Sequence, residues 1–158
     1  MKVAVFADTH IPKRAKDLPP AAYNRLADVS AIIHAGDVIA QSFLDGLNRF
    51  APVYAVLGNN DHDLKLPERL ELCLEQVQIA VVHDSGPRKG RAQRLRKWFP
   101  EAQVVVFGHS HIPVNENSEG LLIFNPGSPT DRRRQPKHTM GILHISSGCV
   151  SAEVVELD

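Results

Sequence analysis

Lys2-Val3-Ala4-Val5-Phe6-Ala7-Asp8-Thr9-His10 is an apolar run that stops abruptly at polar, ligand-capable side chains. A near-continuous apolar run of this kind reads as a strand buried on both faces, as found inside parallel sheets. The pattern recurs downstream. Beyond a Pro-rich loop over 11–20, Ala21–Val29 has near-helical apolar spacing behind Pro20, a residue suited to a first helical turn. Ala31–Ala35 then reads as a strand and Gln41–Phe50 as a helix with Phe43, Leu44 and Leu47 on one face. Val53–Leu57 reads as a further strand running into Gly58. Strands alternating with helices imply parallel pairing through right-handed crossovers.

From Arg69 the character changes. Leu70, Leu72 and Leu74 alternate with polar neighbours and Val77–Val82 follows closely, which predicts an antiparallel pair. Arg91–Phe99 reads as a basic helix stopped by Pro100, Val104–Phe107 as a buried strand, and Leu121–Phe124, Met140–Ile145 and Val150–Val155 as a strand-rich end. The expected fold is α/β: a four-layer αββα sandwich, two mixed sheets packed face to face with helices outside, in a single domain over residues 1–158.

The 158 residues are 43% apolar and 23% charged, an ordinary globular balance. Eighteen Lys+Arg offset eighteen Asp+Glu, so no global field supports dedicated nucleic-acid or membrane-surface binding. Local charge must do any recruiting. Cys73 and Cys149 make no disulfide framework and are expected to pack as small hydrophobes in strands. Val3–Ala7 is too short for a signal sequence, no run approaches the about 18 apolar residues of a membrane span, and the expected location is the cytoplasm.

The informative residues follow the apolar strands: Asp8 and His10, then Gly36-Asp37, then Gly58-Asn59-Asn60-Asp61, then His83, then Gly108-His109-Ser110-His111. In open α/β sheets ligands bind outside the carboxyl ends of strands, so these segments should converge. Each alone is an ordinary turn or loop residue; order and placement together point to metal. Asp-x-His and His-x-His spacing is expected to lie on extended loops, where alternate side chains point the same way.

In that order the motifs resemble the calcineurin-like metallophosphoesterase superfamily over nearly the whole chain, and the short length resembles its small bacterial and archaeal phosphodiesterase branch. Asn125-Pro126-Gly127-Ser128 also resembles a motif of that branch. The resemblance implies that Asp8, His10 and His111 hold one metal, that Asn59, His83 and His109 hold a second, and that Asp37 bridges them. The implied function is a binuclear metal-dependent phosphoesterase, cleaving phosphodiesters and activated phosphomonoesters with a metal-bridging hydroxide. Imidazole with carboxylate or amide oxygen suits two divalent transition ions, manganese first, with nickel, iron or zinc as alternatives. Asn60, Asp61 and His62 are the candidate catalytic residues beyond the ligands, with Asp61 and His34 placed to orient them.

Two positions depart from the family pattern. Asn60 stands where many relatives have a histidine thought to protonate the leaving group, and Asp84 stands where Gly is common. Asn125, Ser128, Arg132 and Arg133 are expected to form a substrate-side wall, with backbone N–H groups and guanidinium forks gripping phosphate. For the arginine run 132–134 and the basic helix, the competing reading is a solvated face.

Other classes fit less well. A metallo-β-lactamase pattern would need His-x-His-x-Asp-His, but His111 is followed by Ile112-Pro113-Val114. Asp61-His62-Asp63 lies among strands and turns rather than in the helices of a His-Asp phosphohydrolase, and neither a Walker A loop nor a dinucleotide fingerprint occurs. The remaining alternative is a catalytically weak scaffold of the same fold. The expected partner is a phosphate-ester small molecule or nucleotide, with no dedicated nucleic-acid or membrane partner and with homo-oligomerisation left open.

Overall fold

A computed structural model describes residues 1–158. In chain order its elements are β1 (Lys2–Phe6), α1 (Pro20–Asn24), β2 (Ala31–His34), α2 (Gln41–Leu47), β3 (Val53–Ala55), β4 (Arg69–Leu74) and β5 (Val77–Val82). There follow α3 (Arg91–Trp98), β6 (Val104–Val106), β7 (Val114–Ser118), β8 (Leu121–Asn125), β9 (Thr139–Ser146) and β10 (Cys149–Glu156). Two five-stranded sheets result, ordered β10-β9-β1-β2-β3 and β4-β5-β6-β8-β7. Both are mixed. β1–β2–β3 and β5–β6–β8 run parallel, whereas β9–β1, β10–β9, β4–β5 and β7–β8 are antiparallel.

The alternation of side chains along each strand builds the layers. Val3 and Val5 of β1 face inward with Ile33, Ile79, Val81, Val104, Val106, Phe124 and Leu143, forming the core between the sheets. Ala4 and Phe6 face outward and pack with Ile32 beneath Leu26, Phe43, Leu44 and Leu47. On the other outer face Val82, Val105, Phe107 and Ile123 pack beneath Leu95 and Phe99. This four-layer arrangement is the expected αββα sandwich, and central strands buried on both faces explain the unbroken apolar runs.

Several expectations are corrected. The first helix spans only Pro20–Asn24 rather than Ala21–Val29, because the following N–H groups of Arg25 and Leu26 bond three residues back, to Ala22 and Tyr23. The second ends at Leu47 for a similar reason: Arg49 and Phe50 bond to Gly46 and Leu47. β7 was absent from the expected elements. Its Val-Asn-Glu-Asn-Ser sequence is polar because it is an edge strand paired only with β8, joined by a turn with Glu119 and Gly120 at positive φ. Cys73 and Cys149 are exposed rather than packed, since both lie on outward positions of edge strands β4 and β10.

Candidate metal centre

The parallel strands deliver their polar successors to one end of the sandwich. Two groups form there: Asp8, His10 and His111, and Asp8, Asp37 and His83, with the ligand atoms within each group no more than 4.8 Å apart. Asp8 is shared by both groups. Asp37 also sits between the imidazoles, its Oδ2 lying 3.4 Å from His10 Nε2 and 3.6 Å from His83 Nε2. All of these side chains are buried. Both carboxylate oxygens of Asp8, and Nε2 of His10 and of His111, have no hydrogen-bond partner. An unpaired buried polar atom costs about 1–3 kcal/mol, so four at one point in a fold need a ligand that satisfies them together.

The protonation pattern fits a cation. Burial, reinforced by Asp37, pushes the Asp8 carboxyl up to about 8. Burial also drives His10, His83 and His111 below the ordinary imidazole range. A divalent ion takes neutral imidazoles as they stand and would displace the Asp8 proton on binding, relieving the crowding of the two carboxylates. Burial would raise Asp37 too, but hydrogen bonds from the Asn60 backbone and side chain, with the nearby His83, hold it below the usual carboxylate range. His83 Nδ1 donates to the Ala35 carbonyl at 2.7 Å and His111 Nδ1 to that of Asp131, leaving both Nε2 lone pairs free. His83 Nε2 therefore faces Asn59 Oδ1, another acceptor, at 3.0 Å. A cation held by both atoms relieves that opposition.

The loops carrying these groups are not extended, which corrects the spacing argument. Asp8, His10, Asp37, His109 and His111 all adopt positive φ, between 48° and 70°. Left-handed backbone is uncommon outside glycine, though Asp and His tolerate it better than most, and it clusters at functional sites. Interstrand bonds over-determine it here: Asp8 N–H donates to Gly36 O and His10 N–H to Asp37 O, each at 3.0 Å. Asp61 ties the next two loops, its carboxylate accepting the N–H groups of Asp37, Ile39 and Gly58 at 2.9, 2.7 and 2.8 Å. Gly58 must be glycine, since a Cβ there would lie 2.1 Å from Asp37 Oδ1.

The Calcineurin-like phosphoesterase superfamily domain matches residues 1–148. The chain belongs to that superfamily. A probable metallophosphoesterase of Methanothermobacter thermautotrophicus is 34% identical over 159 residues, covering 98% of this chain and 92% of the relative. One from Methanocaldococcus jannaschii is 38% identical over 143 residues, covering 89% and 74%. Among solved structures, a Thermotoga maritima protein is 31% identical, with a TM-score of 0.76 and 99% of each chain covered. Vps29 of Entamoeba histolytica complexed with zinc has a TM-score of 0.81 with 100% of each chain covered, and at 22% identity that likeness is one of fold.

Not every residue expected of this superfamily member joins the two groups. His109 lies outside them, with a side chain 48% exposed, its ring 5.2 Å from that of His83 and its Nε2 3.9 Å from Asp84. Asn59 joins only through His83, and His62 is exposed. Asn125 and Ser128 are corrected from substrate wall to support: both are buried and their polar atoms are spent within the chain. Asn125 Nδ2 donates to Gly108 O at 3.1 Å; Ser128 Oγ donates to Asp8 O and accepts from Asp131 N–H, both at 2.8 Å. The turn thus grips two ligand loops from behind, helped by Thr130 Oγ1 donating to Thr9 O at 2.6 Å.

Arg132 and Arg133 also part company. Arg132 Nη1 donates to Gln135 O at 2.6 Å, within its own loop, while the charge of Arg133 acts on Asp8, His10 and His111. Sequence reasoning missed the pair made by Thr9 Oγ1 and His34 Nε2 at 3.0 Å beneath the site. Gly36 N–H donates to His34 Nδ1 at 3.2 Å, so the proton sits on Nε2, and burial holds this ring down at about 3, permanently neutral. Nothing in a lone Thr9 signals such a contact.

Proposed function

We propose that the chain is a binuclear metal-dependent phosphoesterase acting on phosphodiesters and activated phosphomonoesters, with a phosphate-ester small molecule or nucleotide as substrate. The supporting observation is the convergence of the orphaned oxygens of Asp8 with the free Nε2 atoms of His10 and His111. Asp8, His10 and His111 would hold one ion, Asn59, His83 and His109 the other, and Asp37 both. Two divalent transition ions, manganese foremost, would supply an acidified water and Lewis-acid polarisation of the phosphoryl oxygens.

The chain's own residues set the substrate preference. With metal bound, Asp8 and Asp37 bring two negative charges to the site; Arg133 acts on Asp8, His10 and His111, while Arg14, which also acts on His10, is paired with Asp131, leaving one arginine free of a carboxylate there. One guanidinium suits the single charge of a diester better than the double charge of a monoester. Asn60 spends its amide on Asp37 Oδ2 and has no proton to give a leaving group. Good leaving groups are therefore favoured.

The test compares turnover efficiency on an aryl phosphodiester, the matching aryl monoester and an alkyl monoester under saturating manganese, alongside metal content. The expected order is diester, aryl monoester, alkyl monoester. Faster alkyl-monoester hydrolysis would reverse the assignment, and a metal-loaded protein inert to all three would be a scaffold.

A further inference from the structure

The basic helix found in the sequence overlooks a groove of about 930 Å³ that shares no lining residue with the metal centre. One wall is the 88–97 segment with Arg88, Lys89, Arg91 and Lys97, the far wall is the β7–β8 hairpin, and the base is closed by Leu121 and Ile123, both almost wholly buried. In a chain of zero net charge, these cations are clustered, and none of them makes an ion pair with a carboxylate. Lys2 and Arg14 are the only lysine or arginine residues whose side chain lies within 4.0 Å of an Asp or Glu side-chain carboxylate.

Two features separate this wall from an ordinary solvated face. Arg94 is wholly occupied in shaping it, donating from Nε to Ser85 O at 2.8 Å, from Nη1 to Lys89 O and from Nη2 to Pro87 O, which fixes the loop that presents Arg88 and Lys89. Arg91 is the reverse. Its guanidinium lies 4.8 Å over the Phe107 ring, and its Nε is buried without an acceptor. Burial, with repulsion from Arg94 and Arg88, disfavours its charge against the pull of Glu116. An arginine packed on an aromatic face, short of an acceptor and crowded by other cations, is built for an anion.

The shape of the groove narrows the class. A continuous polyanion would have to cross Glu116 and Glu119 on the far wall. A compact ligand, anionic at one end and uncharged but polar at the other, meets the cations and then Asn117 and Ser118 of the hairpin. The volume lies within the about 300–1,000 Å³ of small-molecule sites. We propose that this groove binds a phosphorylated small molecule of the nucleoside diphosphate class, its phosphates on Arg88, Lys89 and Arg91 and its uncharged, polar end on Asn117 and Ser118 of the hairpin.

The experiment titrates metal-stripped, ¹⁵N-labelled protein with ADP, adenosine and inorganic pyrophosphate. ADP is expected to shift the amides of Lys89, Arg91 and Ala92 and those of Ser118 and Leu121, pyrophosphate only the first group, and adenosine neither. Arg91→Gln should weaken ADP binding about tenfold or more. It should leave aryl-diester turnover without ADP unchanged, which separates this groove from the hydrolytic reading. Arg88→Gln, on the exposed rim, repeats the measurement without disturbing the Phe107 contact. ADP shifts confined to the metal centre, or ADP affinity unchanged in both variants, would overturn the site; pyrophosphate binding as tightly as ADP, with Ser118 and Leu121 unmoved, would overturn the nucleoside class.

Discussion

Asn60 holds Asp37 twice, its backbone N–H donating to Oδ1 at 2.9 Å and its side-chain amide to Oδ2 at 2.8 Å. Asn60 thus fixes the orientation of the carboxylate that lies between His10 and His83. Asn60→Ala is expected to lower metal affinity about 10–100-fold, as loss of a ligand's hydrogen-bond partner commonly does. Chelator competition measures it, and unchanged affinity would show the clamp to be dispensable.

Asp37→Ala should strip both ions, since Oδ2 faces imidazoles on either side. Elemental analysis of the purified variant decides the matter. Retention of about one ion per chain would transfer the shared role to Asp8, which lies in both groups.

Metal-free protein should lose stability as pH rises toward and through about 8. A carboxyl whose folded pKa is raised stabilises the fold below its unfolded pKa, near 3.8, and that contribution disappears as pH climbs through the folded value. The histidines act the other way, because imidazoles held neutral by burial cost stability only as pH falls below about 6.5. Thermal melts between pH 7 and pH 9, with and without manganese, should show a decline in the stripped protein alone. Asp8→Asn should flatten it.

Thr9→Val should cost about 1–3 kcal/mol, because it leaves the buried His34 Nε2–H without its acceptor. Denaturant melts give the number. Thr9→Ser keeps the hydroxyl and should recover most of it; equal losses in both variants would assign the effect to packing.

Arg133→Gln should lower turnover efficiency on an aryl phosphodiester about tenfold or more, and Arg132→Gln should change it little. Arg132 is tied to Gln135 O within its own loop. Equal effects would mean that the loop matters as a unit rather than through one guanidinium.

Strand runs such as Val3–Phe6 and Val104–Phe107, and the Leu70-Leu72-Leu74 alternation, specified layers and sheet types from sequence alone, because burial on one or both faces imposes a period that each segment carries by itself. The ligand-capable residues were legible for a related reason: a polar residue ending an apolar run lies at a strand end, and strand ends converge. Tertiary structure decided everything that depends on contacts between distant segments. Ser128 and Asp8, 120 residues apart, meet through a hydroxyl and a carbonyl that no motif distinguishes from solvent-facing groups. The left-handed backbone at Asp8, His10 and His111 is likewise a property of the loops' mutual bonding rather than of the residues, so spacing read as extended chain misplaced it. The division between Arg132 and Arg133 followed the same rule, for two identical neighbours can be told apart only by what surrounds each side chain.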